Sequence, residues 1–216
     1  MLVFPAINAA SFDEAKELIE KAVNFQQEPR WIHIDVADGQ FTGNTTWGSP
    51  EDLLKLKDFL VSNKVGVEVH LMVAIPEEIL EEWLTTQLIH RVIVHVEALT
   101  DPFAIMEMCK RYGAEAVLAT IPGTSLDKIS YLTNFKHFQV LAVSPGLAGQ
   151  RFAPEVIDKI KTLRSKVPDA TIEVDGGITP ETGKQCKEAG ADILVSASYI
   201  FSNPDPKAAY ELLAKL

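Results

Sequence analysis

The chain has little sulfur to work with. Its two cysteines, Cys109 and Cys186, both fall in stretches of helical periodicity, 104–113 and 181–190. Two thiols so placed exclude a disulfide framework, and a reducing cytosol is the expected compartment. Long apolar runs are also missing, since no stretch reaches the 18 residues that a membrane span needs. The opening MLVFPAINAASFDEA lacks a basic segment followed by an apolar one, so no export signal is expected. Basic residues are outnumbered, 20 against 30 acidic ones, for a formal net charge of −10. Such a field repels phosphate backbones and anionic lipid, which argues against nucleic-acid and membrane-surface partners. It leaves room for a small anionic substrate, because backbone N–H groups bind phosphate locally whatever the distant charge. Low-complexity segments, linkers, a dinucleotide-binding glycine fingerprint, a P-loop, a nucleophile triad and a cysteine pair are all absent.

What the 216 residues do contain is 47% hydrophobic and 23% charged, the composition of a globular chain with a large core. Short apolar runs suited to strands buried on both faces lie at 2–7, 31–36, 65–73, 91–96, 114–120, 138–144, 171–175 and 192–198. Amphipathic stretches alternate with them at 12–23, 49–62, 75–86, 101–112, 125–132, 154–164, 179–190 and 205–216. Helix starts are marked by a cap oxygen before proline at Ser49, Asp101, Thr179 and Asp205, and helix ends by Gly113 and Gly190. Eight β/α units averaging about 27 residues predict one α/β domain over 1–216, a (β/α)₈ TIM barrel, rather than a five- or six-stranded doubly wound sheet.

A barrel builds its active site at the C-terminal ends of its strands. In WIHIDVADG, residues 31–39, strand alternation turns His33 and Asp35 to one side and Ile32, Ile34 and Val36 to the other. Glu68 and His70 likewise share a face near the end of the third run, and Asp175 ends the seventh before a glycine turn. Inward imidazoles and carboxylates are expensive unless paired or bound to something. His33, Asp35, His70 and Asp175, converging from three strands, predict a divalent metal site for Zn²⁺, Fe²⁺, Mn²⁺ or Co²⁺. His95 and Glu97 are read as support or pocket lining, and His90 and His137 as surface residues of the opposite rim. Glycine-rich turns follow the sixth and seventh strands, SPGLAGQRF at 144–152 and DGGIT at 175–179, and SAS at 196–198 ends the eighth. Small residues there let backbone N–H groups approach a phosphate. A metal and a phosphate pocket beside two carboxylates suggest proton chemistry next to a carbonyl in a sugar phosphate.

At these residues the sequence resembles the ribulose-phosphate 3-epimerases. IHIDVADGQF (32–41), VHLMV (69–73), HVEA (95–98), PGLAGQRF (145–152), the helix carrying Lys159 to Arg164, VDGG (174–177) and LVSASYIF (194–201) follow the family's order and spacing. The resemblance implies interconversion of D-ribulose 5-phosphate and D-xylulose 5-phosphate, a pentose-phosphate-pathway step in the cytoplasm, with one divalent ion. It implies that His33, Asp35, His70 and Asp175 are the ligands, with Asp35 as proton acceptor and Asp175 as donor. It also implies that His70, Gly146, Leu147, Ala148, Gly149, Gly176, Gly177, Ala197 and Ser198 contact the substrate or its phosphate, and that the chain forms a homo-oligomer.

Departures from the family's pattern fall on the pocket lining. The early serine aligns with Ala9, and of three methionines only Met72 remains, the others aligning with Ala37 and Leu141. Leu147, Ala148 and Ala197 replace a phenylalanine and two glycines. Smaller lining at Ala9 and Ala37 raises a longer ketose such as allulose 6-phosphate as an alternative substrate, and the lost groups raise a non-catalytic phosphosugar-binding barrel. A lyase related to orotidine-phosphate decarboxylase or hexulose-phosphate synthase is disfavoured, because IHIDVADG has no lysine at the Asp-x-Lys position.

Overall fold

A strand buried on both faces needs two sets of partners, and the apolar runs of this chain find them in one another's edges and in the surrounding helices. The computed structural model describes residues 1–216. Its strands are β1 (Leu2–Ile7), β2 (Arg30–Ala37), β3 (Val65–Met72), β4 (Ile89–His95), β5 (Glu115–Thr120), β6 (His137–Leu141), β7 (Thr171–Asp175) and β8 (Ile193–Ser196). All pair in parallel in chain order, and β1 also pairs with β8, so the sheet closes into a barrel. The TIM barrel expected from the alternating rhythm is the fold observed.

Outward residues such as Ile32, Ile34, Val67, Val69, Val92 and Val94 bury themselves against the helices. Those helices are α1 (Phe12–Phe25), α2 (Pro50–Leu54), α3 (Lys57–Ser62), α4 (Pro76–Thr85), α5 (Pro102–Tyr112), α6 (Val156–Lys166), α7 (Pro180–Ala189), α8 (Ser198–Phe201) and α9 (Pro206–Ala214). The marked caps form: Ser49, Asp101, Thr179 and Asp205 accept N–H groups at the starts of α2, α5, α7 and α9, and Gly113 and Gly190 end α5 and α7 in the left-handed conformation.

Three segments differ from the sequence expectation. The stretch 125–132 forms no α-helix but gives 3₁₀ turns at Leu126–Lys128 and Leu132–Asn134. Its buried residues Leu126, Ile129 and Leu132 recur every third position, the period of a 3₁₀-helix rather than an α-helix. The stretch 49–62 is broken in two, because the Lys55 and Leu56 N–H groups bond three residues back, to Asp52 and Leu53, at 3.1 and 3.0 Å. The eighth strand stops at Ser196, and the short helix α8 precedes the expected final one.

Inside the barrel the residue set is unusual. Phe4, Ala6, Ile193 and Val195 form one small apolar cluster and Ile93, Val117 and Ala119 another, and polar side chains occupy the space between. Near the lower rim Trp31 stacks on Phe4, ring centroids 5.0 Å apart and planes 11° from parallel. Gly66, beside Trp31 in the β2–β3 register, makes room for the indole: a Cβ there would stand 2.5 Å from the ring. Gly66→Ala should therefore displace Trp31 and lower stability by about 1–3 kcal/mol. Urea denaturation followed by tryptophan fluorescence measures this; an unchanged midpoint and spectrum would show that the ring is not confined.

Candidate active site

Because β2, β3 and β7 run in parallel register, their inward residues rise in steps of two toward one end of the barrel. Asp35 pairs with His70 across β2 and β3, and Leu141 with Asp175 across β6 and β7, so the carboxyls and imidazoles meet near the C-terminal mouth. His33 Nε2 lies 3.2 Å from Asp35 Oδ1 and 3.3 Å from His70 Nδ1. His70 Nδ1 lies 3.3 Å from Asp35 Oδ1 and 3.6 Å from Asp175 Oδ2. These four donor atoms all lie within 4.8 Å of one another. Two imidazole nitrogens and two carboxylate oxygens, with a formal charge of −2 when the imidazoles are neutral, fit a divalent cation.

Each imidazole is held from behind. His33 Nδ1 sits 2.6 Å from Glu68 Oε1, so its N–H donates there and Nε2 is left to face the centre. His70 Nε2 contacts His95 Nε2 at 2.8 Å, and His95 Nδ1 contacts Glu97 Oε2 at 3.3 Å. Glu97 is fixed in turn by the Ile121 N–H and the Thr124 hydroxyl. With both histidines donating outward along this relay, His70 presents Nδ1 to the centre. His95 and Glu97 thus support a ligand and do not line the cavity.

Below His33 lies a layer that the sequence reading missed. The Arg91 guanidinium reaches Glu68 Oε2 at 2.6 Å and Glu173 Oε2 at 2.8 Å through one nitrogen, Nη1, and Gln139 donates to Glu173 Oε1 at 3.0 Å. His33, Glu68 and Glu173 also bring donors together, but Nη1 already bridges the two carboxylates, so this group is an ion pair and not a second metal site. The two-residue alternation that singled out His33 and Asp35 also runs through Arg91 and His95, and through Glu173 and Asp175.

The surroundings drive the two site carboxyls in opposite directions. Burial would raise Asp35, but hydrogen bonds from His33 and His70 outweigh it and hold Asp35 below the ordinary carboxylate range. Burial raises Asp175 well above that range, with Asp35 and Glu173 adding to the rise against the opposing His33. For His33 burial acts downward, and the bonds to Asp35 and Glu68 win and raise it well above the usual imidazole value. His70 is lowered to about 4, chiefly by burial, with His95 and His33 acting the same way and Asp35 opposing.

A cavity of about 460 Å³ opens from Asp35 and Asp175 toward the β6–β8 side. Gly146, Leu147, Ala148, Gly149, Gly176, Gly177, Ala197 and Ser198 all line it, as do Met72 and Leu141. The N–H groups of Gly176, Gly177, Ala197 and Ser198 have no acceptor within the protein. Gly177 takes φ +64°, and a Cβ there would lie 2.5 Å from the Phe152 backbone nitrogen, so this turn requires glycine. Ala9 and Ala37 do not line the cavity. Ala9 follows the inward Ala6 and Asn8 by an odd step, so it faces outward into the apolar layer, its carbonyl accepting from the Trp47 N–H at 2.7 Å. Ala37 shares the inward face of Asp35, but the cavity opens away from it. Ala6 and Asn8 are the β1-side residues on the wall, and Asn8 went unmarked in the sequence because it lies just past the strand.

Barrel, donor cluster and glycine-lined cavity are those of a (β/α)₈ enzyme whose mouth could hold a divalent ion. Compared with known proteins, residues 2–201 match the Ribulose-phosphate 3 epimerase family. Ribulose-phosphate 3-epimerase of Mycobacterium leprae is 33% identical, over 99% of this chain and 94% of its own length. That of Methanocaldococcus jannaschii is 35% identical, over 96% and 87%. The chain belongs to the ribulose-phosphate 3-epimerase family. Among solved structures, 3-hexulose-6-phosphate synthase from Salmonella typhimurium superposes with a TM-score of 0.72 at 19% identity, over 100% of this chain and 97% of that one. Orotidine 5′-monophosphate decarboxylase from Sulfolobus solfataricus gives 0.65 at 15%, over 99% and 95%. These likenesses show the shared barrel.

Two predictions follow from the buried charges. Arg91→Met leaves Glu68 and Glu173 with His33 as their only close cationic partner and should destabilise the protein by about 3–5 kcal/mol. Urea unfolding tests it, with partial recovery expected in the Arg91→Met, Glu68→Gln double variant; an unchanged midpoint would show that the guanidinium is dispensable. Separately, a cation at the centre must displace protons held by His33 and Asp175, both of which are raised. Affinity for Zn²⁺ should therefore drop as pH is lowered, by up to about tenfold per unit for each group protonated. Chelator competition across pH measures it, and a flat profile would contradict the assignment.

Proposed function

We propose that this chain epimerises a ketose phosphate at C3, interconverting D-ribulose 5-phosphate and D-xylulose 5-phosphate by proton transfer through an enediolate. The observation that carries the reading is the pair Asp35 and Asp175, which come from β2 and β7 and border one cavity beside donors that fit a divalent ion. Inverting a carbon next to a carbonyl needs a base on one face and an acid on the other. Asp35 takes the C3 proton and Asp175 returns one to the opposite face, and the reverse reaction exchanges the roles.

His33, Asp35, His70 and Asp175 would hold the divalent ion, Zn²⁺, Fe²⁺, Mn²⁺ or Co²⁺. When bound, it would supply positive charge that offsets the negative charge developing on the substrate's carbonyl oxygen. Glu68 and His95 keep the two imidazoles aimed at that point. The four free N–H groups at 176, 177, 197 and 198, together with the 146–149 loop, suit the phosphate. The pentose substrate is favoured over a longer ketose, because the two alanines that suggested a widened pocket do not line it. Two buried free thiols, both raised to about 12 by burial, suit a reducing cytoplasm, and no helix is long and apolar enough to cross a membrane.

Asp175→Asn should abolish conversion of ribulose 5-phosphate to xylulose 5-phosphate, followed by NMR, while the circular dichroism of the barrel is unchanged. Exhaustive chelation should silence the wild-type protein, with recovery on adding one of the four ions. Epimerisation that persists in Asp175→Asn would remove this residue from the acid/base role.

A further inference from the structure

Asp35 has two carboxylate oxygens, and the structure gives them different neighbours. Oδ1 faces the histidine nitrogens, while Oδ2 accepts a 2.9 Å hydrogen bond from the side-chain amide of Asn8. The same Nδ2 lies 3.3 Å from the Gly146 carbonyl, which also accepts from Asn44 Nδ2 at 3.0 Å. Both neighbours of Nδ2 are pure acceptors, so the orientation of the amide is fixed by chemistry. Asn8 stands on the cavity wall, on the inward side of the chain leaving β1.

We infer that Asn8 is a positioning residue that keeps Oδ2 of Asp35 turned away from the metal centre and toward the substrate. The inference rests on the epimerase reading, and it adds the device by which one aspartate serves both as ligand and as base. A carboxylate beside a cation is free to rotate and bind through both oxygens, which lowers the basicity of each. The Asn8 amide opposes that rotation by holding Oδ2, so only Oδ1 is left for the ion. Because Nδ2 is anchored on Gly146 as well, the aspartate is tied to the loop that lines the phosphate end of the cavity. Substrate docking and carboxylate orientation thus share one side chain.

The test compares wild type with Asn8→Leu, which branches at the same carbon and carries no donor, and Asn8→Ser, which is too short to hold both acceptors. On ribulose 5-phosphate, kcat should fall by about 10–100-fold with KM within about twofold, and the isotope effect of 3-deuterated substrate should rise as proton transfer becomes limiting. In the Co²⁺-loaded proteins the visible absorption should weaken in both variants, as a second Asp35 oxygen joins the ion and the coordination number rises. A rise in KM with kcat intact would make Asn8 a substrate contact and overturn the proposal, as would a Co²⁺ spectrum identical to wild type. If the wild type shows no epimerase activity, the functional reading fails, and the Co²⁺ spectra still decide the role of Asn8. If Asn8→Leu does not fold, the same criteria apply to Asn8→Ser.

Discussion

One nitrogen of Arg91, shared between Glu68 and Glu173, is the interaction on which the interior of this barrel depends. Acids at those positions with no cation between them would repel in a medium that screens poorly, and each would take up a proton. With Arg91 in place Glu68 stays an acceptor, so His33 donates downward and keeps its other nitrogen for the mouth of the barrel. The guanidinium thus acts on the site from one layer below, without touching substrate. Its charge is raised and held by Glu68 and Glu173 against the burial that opposes it. An apolar core would have been the simpler way to fill a barrel; the polar one sets the direction of each histidine.

Much of this was legible in the sequence because one rule, two residues per step, governs both the fold and the site. It turned His33 with Asp35, and Glu68 with His70, toward a common interior, and proline and glycine punctuation marked helices that the structure forms. The rule also applied where it was not used: Arg91 and Glu173 lie on the same inward faces as His95 and Asp175. Its limits are seen at Ala9, where strand parity past Ile7 turns the side chain out of the barrel, so resemblance in sequence position did not translate into a place on the wall. At 125–132 the apolar spacing was read as α-helical when its period of three belonged to a tighter coil. Asn8 had no pattern to announce it, because its partners, Asp35 and Gly146, are brought to it only by closure of the barrel.

The opposite shifts of Asp35 and Asp175 have a simple physical origin. Both are buried, but Asp35 lies against two imidazoles within hydrogen-bonding distance, whereas the nearest imidazole nitrogen to Asp175 is 3.6 Å away, at His70. Chemically identical groups acquire different proton affinities from neighbours placed by three different strands, and the barrel supplies that asymmetry without any difference in residue type.

The cavity and the ligand supports occupy different sectors of the cylinder. The wall that would meet the sugar comes mostly from β1 and from β6–β8, with Asp35 and Met72 added by β2 and β3, while the relay that orients His70 runs through β4 and the turn after β5. For anyone wishing to redesign the enzyme, the two sectors are separate workspaces: loops after the last three strands offer positions for retuning which sugar is accepted, and the opposite arc can be left untouched as the chassis that keeps the chemistry running.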